Sequence, residues 1–191
     1  YVLPFLIPML ENAGAYVMTP RERDTQKYEI ITDNDPSFSN VREGLVRRLG
    51  KYSETGAWKD AGVGFADYKE VYTGNDNPFT HGTARKAKCS REINGNASAT
   101  WTPEIPERGK YAVYVSYTSL PNSTESAHYT VHHLGGASHF LVNQKAGGGT
   151  WIYLGTFEFS EGSSCYVSLD NGTRKGVESD PGAVVTADAV K

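Results

Sequence analysis

From Lys110 to Ser160 the chain alternates apolar and polar side chains in four successive runs, KYAVYVSYTSL, SAHYTVHHLGG, SHFLVNQKAGGG and TWIYLGTFEFS. A period of two is that of a strand with one buried face, and the Gly, Pro, Asn and Ser between the runs supply turns. Tyr111, Val113, Val115 and Tyr117 share a face of the first run. Ala127, Tyr129, Val131 and His133 share one in the second, and Phe140, Val142 and Gln144 in the third. Trp151, Tyr153, Phe157 and Phe159 line up on the fourth, with Gly155 where another side chain would stand. Four such strands on short connections make a meander, and a meander buries its apolar face only against a second layer. The pattern predicts the core of an antiparallel sandwich.

Shorter strands are expected around Gly64 to Tyr72, around Thr83 to Cys89 and from Ala97 to Trp101. After the meander, Cys165, Val167 and Leu169 alternate before the turn DNGT, and AVVTADAVK reads as a last strand. About eight strands with frequent turn signals fit a sandwich. Residues 1–24 read differently. Leu6, Ile7, Leu10 and Ala13 approximate helical spacing, Asn12-Ala13-Gly14 offers a stop, and Ala15 to Thr19 follow as a short strand. Residues 25–49 read as a linker, with TDNDPSFSN a loop and VREGLVRRLG a candidate short helix. The expected fold is mainly β, an antiparallel jelly-roll-like β-sandwich over residues 50–191 with a short N-terminal helix–strand remnant.

With 191 residues the chain is one domain, or one domain and a fragment. A formal charge of −3 gives no electrostatic case for nucleic acid or an anionic membrane. The apolar opening YVLPFLIPML holds Pro4 and Pro8 and is too short to span a bilayer, so no membrane insertion is expected. The absence of an initiating Met points to a piece of something longer. Cys89 and Cys165 are read as thiols in preference to a disulfide, without a CxxC or Cys/His zinc pattern. Asn96, Asn122 and Asn171 each begin an N-x-Ser/Thr sequon, which turn chemistry explains as well as glycosylation.

Among chemistry-bearing groups, His128 and His132 project from one face of a strand and His133 from the other. A metal would need a third ligand, and nothing in the sequence brings His81 or His139 close, so polar histidines on a solvated face are expected. Glu125, Glu158, Asp170 and Asp188 lie on or beside strands, yet no pair is specified as glycosidic acids would be. Asp188, between small residues in TADAV, is expected to accept backbone hydrogen bonds at a turn or strand crossing. There is no G-x-S-x-G elbow, and Gly147 to Gly149 precede a strand rather than a phosphate-binding helix.

The segment from Trp101 to Tyr117, AHYTVHH, Val142 to Gln144, GGGTWIYLGTF and the closing VVTADAV together resemble the golvesin/xanthan-lyase carbohydrate-binding-like domain. That resemblance covers roughly residues 50–191. It implies a jelly-roll-like module appended to bacterial exported enzymes, and hence an extracytoplasmic location. PFLIPMLENAGAYVMTPRERD is similar to a helix and strand of zinc-dependent N-acetylmuramoyl-L-alanine amidases, with Thr19, Arg21 or Arg23, and Asp24 on the T-R-x-x-D pattern and Pro20 inserted. The family's His and Glu zinc ligands have no counterpart here. The resemblance therefore implies no cofactor in this fragment, zinc in the catalytic domain of a parent protein, and the rest of that amidase-like domain as a partner.

For a module of this kind, flat rings stack on pyranose faces while amides bond the hydroxyls. Trp58, Tyr68, Tyr72, Trp101, Tyr114, Tyr117, Trp151 and Tyr153 are available, and core packing is the favoured reading of Trp101 and Trp151. The candidate carbohydrate-binding residues are Trp58, in a Gly-rich loop, Tyr114, on the face opposite Val113 and Val115, Tyr117, Asn143 and Gln144. The function so implied is a non-catalytic accessory module that binds polysaccharide or peptidoglycan. The alternative is part of a peptidoglycan amidase in which the sandwich is only a structural insertion.

Overall fold

The computed structural model describes residues 29–35, 46–47, 50–66, 76–172 and 182–191. Its strands are β1 (Glu29–Ile30), β2 (Val46–Arg47), β3 (Gly50–Thr55), β4 (Lys59–Gly64), β5 (Gly82–Lys88) and β6 (Ser98–Pro103). There follow β7 (Gly109–Val115), β8 (Ala127–His133), β9 (Gly136–Val142), β10 (Ile152–Phe159), β11 (Tyr166–Asp170) and β12 (Val184–Ala187). Among the described residues there is no α-helix, and no helix is long and apolar enough to cross a membrane. Pro78–Thr80 form a single 3-10 turn, capped by the Asn77 side chain on Phe79 N at 3.1 Å.

Two layers enclose the core. The first is an antiparallel sheet of five strands in the order β3-β6-β11-β8-β9. The second is made of two ladders, β12-β5-β4 and β10-β7, which the C-terminal residues join. Val184 to Ala187 pair with β5, and Val190 then bridges both Val115 of β7 and Thr32. The last strand thus changes partners at Asp188. A strand that does so loses regular backbone partners at the crossing, and buried backbone groups must be paired. The Asp188 carboxylate supplies the acceptors: Phe65 N–H donates to its two oxygens at 3.0 and 3.1 Å, and the Ser116 hydroxyl donates at 2.6 Å. This is the role expected for it.

The inward faces follow the period of two. Tyr111, Val113, Val115 and Tyr117 meet Ala127, Tyr129, Val131, Val167 and Leu169 in one cluster. Trp101 lies at its centre with no exposed surface, its indole N–H donating to the Asp188 carbonyl at 2.9 Å. Its ring stacks on Tyr129 with centroids 6.3 Å apart and tilts against Tyr52 at 5.5 Å. Trp101 is therefore core, as the sequence favoured.

Three expectations about the elements change. Of the strand expected around Gly64 to Tyr72, only Gly64 is in a strand, as the last residue of β4; Phe65 and Ala66 are not, and residues 67–75 lie outside the described residues. The candidate helix VREGLVRRLG includes β2 at Val46–Arg47, parallel to β1, its other residues up to Leu49 also lying outside. Residues 29–35, read as linker, belong to the sandwich: Ile30 is in the main core and Thr32 pairs with Val190. The helix–strand remnant expected in residues 1–24 lies outside the described residues.

Candidate functional site

The fourth run of the meander does not keep its aromatic side chains on one face. In the pairing of β10 with β7, Tyr153 opposes Tyr114 and Gly155 opposes Val113, so two steps on β10 match one on β7. Such a bulge reverses every side chain beyond it. Phe157 and Phe159 turn into the core, while Tyr153 turns outward beside Tyr114, the rings 5.2 Å apart. Glycine is required at the bulge. Gly155 has φ of 154°, and a Cβ there would lie 2.7 Å from the Phe157 ring that crosses it.

Outside the second sheet this leaves an aromatic patch. Tyr114, Trp151 and Tyr153 are half-buried, and the Lys191 ammonium lies over the Tyr114 ring at 5.2 Å and the Trp151 ring at 5.1 Å. Lys191 also reaches Glu29 Oε1 at 3.1 Å, so its charge is largely matched locally. Trp151 is anchored from behind by a small apolar cluster of Ile31, Phe65 and Ala189 with Phe79. Its ring lies 4.9 Å from Phe65 and 5.6 Å from Phe79. The rings are thus fixed by strands and packing, with hydrocarbon surface and a cation at their margin.

The five candidates from the sequence separate. Tyr114 is in this patch. Asn143 is exposed, its side-chain oxygen accepting from Lys145 N at 3.0 Å. The other three are corrected to interior positions. Trp58 packs into the core because the tight β3–β4 turn at Gly56 folds it inward, and its indole N–H donates to the Thr55 carbonyl at 3.0 Å. Tyr117 is buried with its hydroxyl donating to the Ala146 carbonyl at 2.7 Å. Gln144 has no exposed surface and behaves as a surrogate backbone: Thr186 N donates to its Oε1 at 2.8 Å and its Nε2 donates to the Thr186 carbonyl at 2.7 Å. Both ends of that amide are committed, which leaves nothing for a sugar. Trp151, for which core packing was favoured, is half-buried, and with Tyr153 it completes the patch.

A second face lies outside the five-stranded sheet. The His128 imidazole meets the Asp170 carboxylate, Nδ1 to Oδ2 at 2.5 Å, and its Nε2 is 3.2 Å from His139 Nδ1. The proximity of His139 to His128 was not expected. The two-residue turn Leu134–Gly135 sets it, pairing His133 with Gly136 and hence Thr130 with His139. His132 stacks on Tyr166, centroids 4.0 Å apart. Burial, followed by the like charges of His139 and His133, pushes the His132 imidazole below its ordinary range. Because His128 Nε2 is directed at His139, the Asp170–His128 pair does not activate a hydroxyl as a catalytic dyad would. Among the described residues no group of His, Cys, Asp and Glu is arranged to hold a metal ion. Cys89 and Cys165 are free thiols. Of the sequon asparagines, Asn171 is buried, its Nδ2 donating to the Lys88 carbonyl at 2.6 Å and to Asn96 Oδ1 at 2.9 Å, and Asn122 Nδ2 donates to the Gly182 carbonyl at 2.9 Å.

The fold defines the class: an antiparallel two-sheet β-sandwich module whose outward side chains are held on strands. Within that class, the Golvesin C-terminal domain model matches residues 47–191, and the chain belongs to that family. It is 33% identical over 139 residues to a xanthan lyase of Bacillus sp. (strain GL1), an alignment covering 73% of this chain and 13% of the relative. In the solved structure of a Paenibacillus xanthan lyase, a region covering 84% of this chain and 12% of that one superposes with a TM-score of 0.59 at 24% identity. At that identity the likeness concerns the fold alone. The chain thus spans about an eighth of the length of the relatives it matches.

Proposed function

We propose that this chain is a non-catalytic accessory module of a bacterial exported protein that acts on polysaccharide, and that it holds a polysaccharide or cell-wall glycan against the patch of Tyr114, Trp151 and Tyr153. The observation that carries the reading is the bulge at Gly155. It turns Tyr153 out of the core to stand beside Tyr114, although the alternation of the strand would have buried it. Placing ring surface on the solvent side costs hydrophobic burial, and a sugar-binding surface makes use of that placement because pyranose C–H faces pack on rings. Lys191, at the rim, offers donors to sugar hydroxyls.

Tethering of this kind raises the effective concentration of substrate near a linked catalytic domain and needs no chemistry of its own. The family match, and a relative named xanthan lyase, support a polysaccharide-acting parent; an extracytoplasmic location and the glycan partner are part of the same proposal. The amidase reading of the parent rests on the resemblance of residues 1–24. Isothermal titration of the chain with a panel of soluble polysaccharides and peptidoglycan fragments tests the proposal. At least one glycan binds saturably, and Tyr114→Ala or Tyr153→Ala weakens it by about tenfold, roughly 1.4 kcal/mol, in keeping with the loss of an aromatic anchor. Absence of binding across the panel at millimolar concentration, or binding that neither substitution affects, overturns it.

A further inference from the structure

The aromatic patch carries a built-in pair of opposite charges, and their arrangement bears on the kind of glycan it takes. Lys191 and Tyr114 exchange both backbone bonds, Tyr114 N donating to the Lys191 carbonyl at 2.7 Å and Lys191 N to the Tyr114 carbonyl at 2.9 Å. Residues paired in this way present their side chains on the same face of a sheet, so register stands the lysine beside the tyrosine. Thr32 and Val190 also exchange both bonds, each at 2.9 Å, which lays the segment that begins at Glu29 against the other side of the same C-terminal strand. Glu29 Oε1 thereby reaches Lys191 Nζ at 3.1 Å, while Nζ lies 5.2 Å from the Tyr114 centroid and 5.1 Å from that of Trp151. The lysine and glutamate side chains are 25% and 27% exposed, so a ligand can reach both.

An ammonium has three donors, and a carboxylate accepts on two oxygens. One donor is committed to Glu29 Oε1, and no described residue bonds Glu29 Oε2. A donor and an acceptor therefore sit side by side at the edge of the rings. That suits neighbouring sugar hydroxyls: one accepts from Nζ and the next donates to Oε2, each bond strengthened by the charge. An acidic sugar meets the opposite situation. Its carboxylate, drawn to Nζ, has to approach a glutamate oxygen already 3.1 Å from that nitrogen, and in a partly buried site like charges are poorly screened. The other cations of this ladder are matched in the same way. Lys110 lies about 13 Å from Tyr114 along β7 and opposes Glu158, which Arg108 also holds at 2.7 Å.

We propose that the glycan held at this patch is uncharged, and that Glu29 sets the preference by matching the charge of Lys191 and accepting from a sugar hydroxyl. The inference rests on the reading of Tyr114, Trp151 and Tyr153 as a glycan-binding surface and adds its substrate class. It has a consequence that ring stacking alone does not. With the carboxylate removed, Lys191 becomes an uncompensated cation beside the rings, and selectivity inverts toward acidic glycans. With the lysine removed instead, the carboxylate stands alone and acids are excluded more strongly.

Calorimetric titration of the 191-residue chain with oligomers of glucose, mannose and N-acetylglucosamine, and with a galacturonate oligomer, tests it. At least one neutral oligomer is expected to bind saturably, and galacturonate at least about tenfold more weakly. Glu29→Gln is expected to weaken the neutral ligand by about fivefold and to bring saturable galacturonate binding that about 0.5 M salt removes. Lys191→Gln breaks the same ion pair from its other end and is expected to bring none. Galacturonate binding to the unsubstituted chain that equals or exceeds the neutral ligand, and that Tyr114→Ala weakens, overturns the inference and leaves the patch reading standing. So does unchanged selectivity in Glu29→Gln, or a gain of galacturonate binding in Lys191→Gln. Absence of binding to every oligomer, or binding indifferent to Tyr114→Ala, overturns the patch reading and this inference with it.

Discussion

Replacing Asp188 tests the central crossing of the sandwich. The wild-type carboxylate is 1% exposed and accepts from Phe65 N–H and from the Ser116 hydroxyl. Asp188→Ala orphans both donors. At about 1–3 kcal/mol for each unpaired buried group, the loss centres near 4 kcal/mol, or a fall in Tm of about 8–16 °C for a chain of this size. Asp188→Asn keeps the shape: its oxygen accepts from Phe65 N and its amide donates to Ser116 Oγ. What it changes is the charge. Burial outweighs the hydrogen bonds from Ser116 and Phe65 and pushes the Asp188 carboxyl up to about 6 from an ordinary 3.8. A carboxyl whose folded pKa lies above its unfolded one favours the fold in its protonated form. That contribution is fully present below about pH 4 and is lost as pH rises through 6, amounting to about 2–3 kcal/mol. Wild type should therefore lose stability relative to Asp188→Asn between pH 4.5 and 7. Thermal melts followed by tryptophan fluorescence report it, since Trp101 donates to the Asp188 carbonyl. A cost below about 1 kcal/mol for Asp188→Ala, or a wild-type advantage over Asp188→Asn that grows with pH, would contradict this role for the carboxyl.

Other substitutions follow from the same geometry. Gln144→Ala removes two bonds to the Thr186 backbone and is expected to cost about 2–4 kcal/mol in urea unfolding. Gly155→Ala forces a Cβ to within 2.7 Å of Phe157 at a positive φ, costing about 1–3 kcal/mol in the same assay and altering near-UV circular dichroism as Tyr153 shifts. Arg85 holds Glu54 through two bonds at 2.7 and 3.1 Å across the two sheets. Because that pair is partly exposed, Arg85→Ala is expected to lower stability by about 1 kcal/mol or less, an effect that weakens in high salt.

Much of this was written into the pattern. The inward sets on β7, β8 and β9, the central place of Trp101 and the bonding role of Asp188 all follow from alternation and from the need to pair buried polar groups. The bulge did not. Gly155 could be seen as a gap in a face, but not as a register shift, because the shift depends on the partner strand β7. That single residue separates Tyr153 from Phe157 and moves the candidate patch. Gln144 shares a face with Phe140 and Val142, and its burial was implicit in the spacing; its chemistry suggested sugar, whereas its partner is a backbone segment 42 residues away. His139 was within reach through the two-residue hairpin turn. Asp170 was not, since β11 joins β8 only in the folded sheet. Trp58 is core and not surface because the turn at Gly56 leaves Ala57 outside and brings the indole back onto the sheet, a direction that depends on the turn's backbone and not on its composition.

Glycan is proposed to meet the protein at the patch containing Trp151. Trp58 and Trp101 are buried while Trp151 is half-buried under Lys191, so tryptophan emission reports that face. Titrating polysaccharides and peptidoglycan fragments into the chain should shift the emission saturably for at least one glycan. Trp151→Phe should abolish the shift, and Tyr114→Ala should move its midpoint about tenfold higher. A saturable emission change that survives Trp151→Phe, or calorimetric binding with no change in Trp151 emission, would contradict the claim.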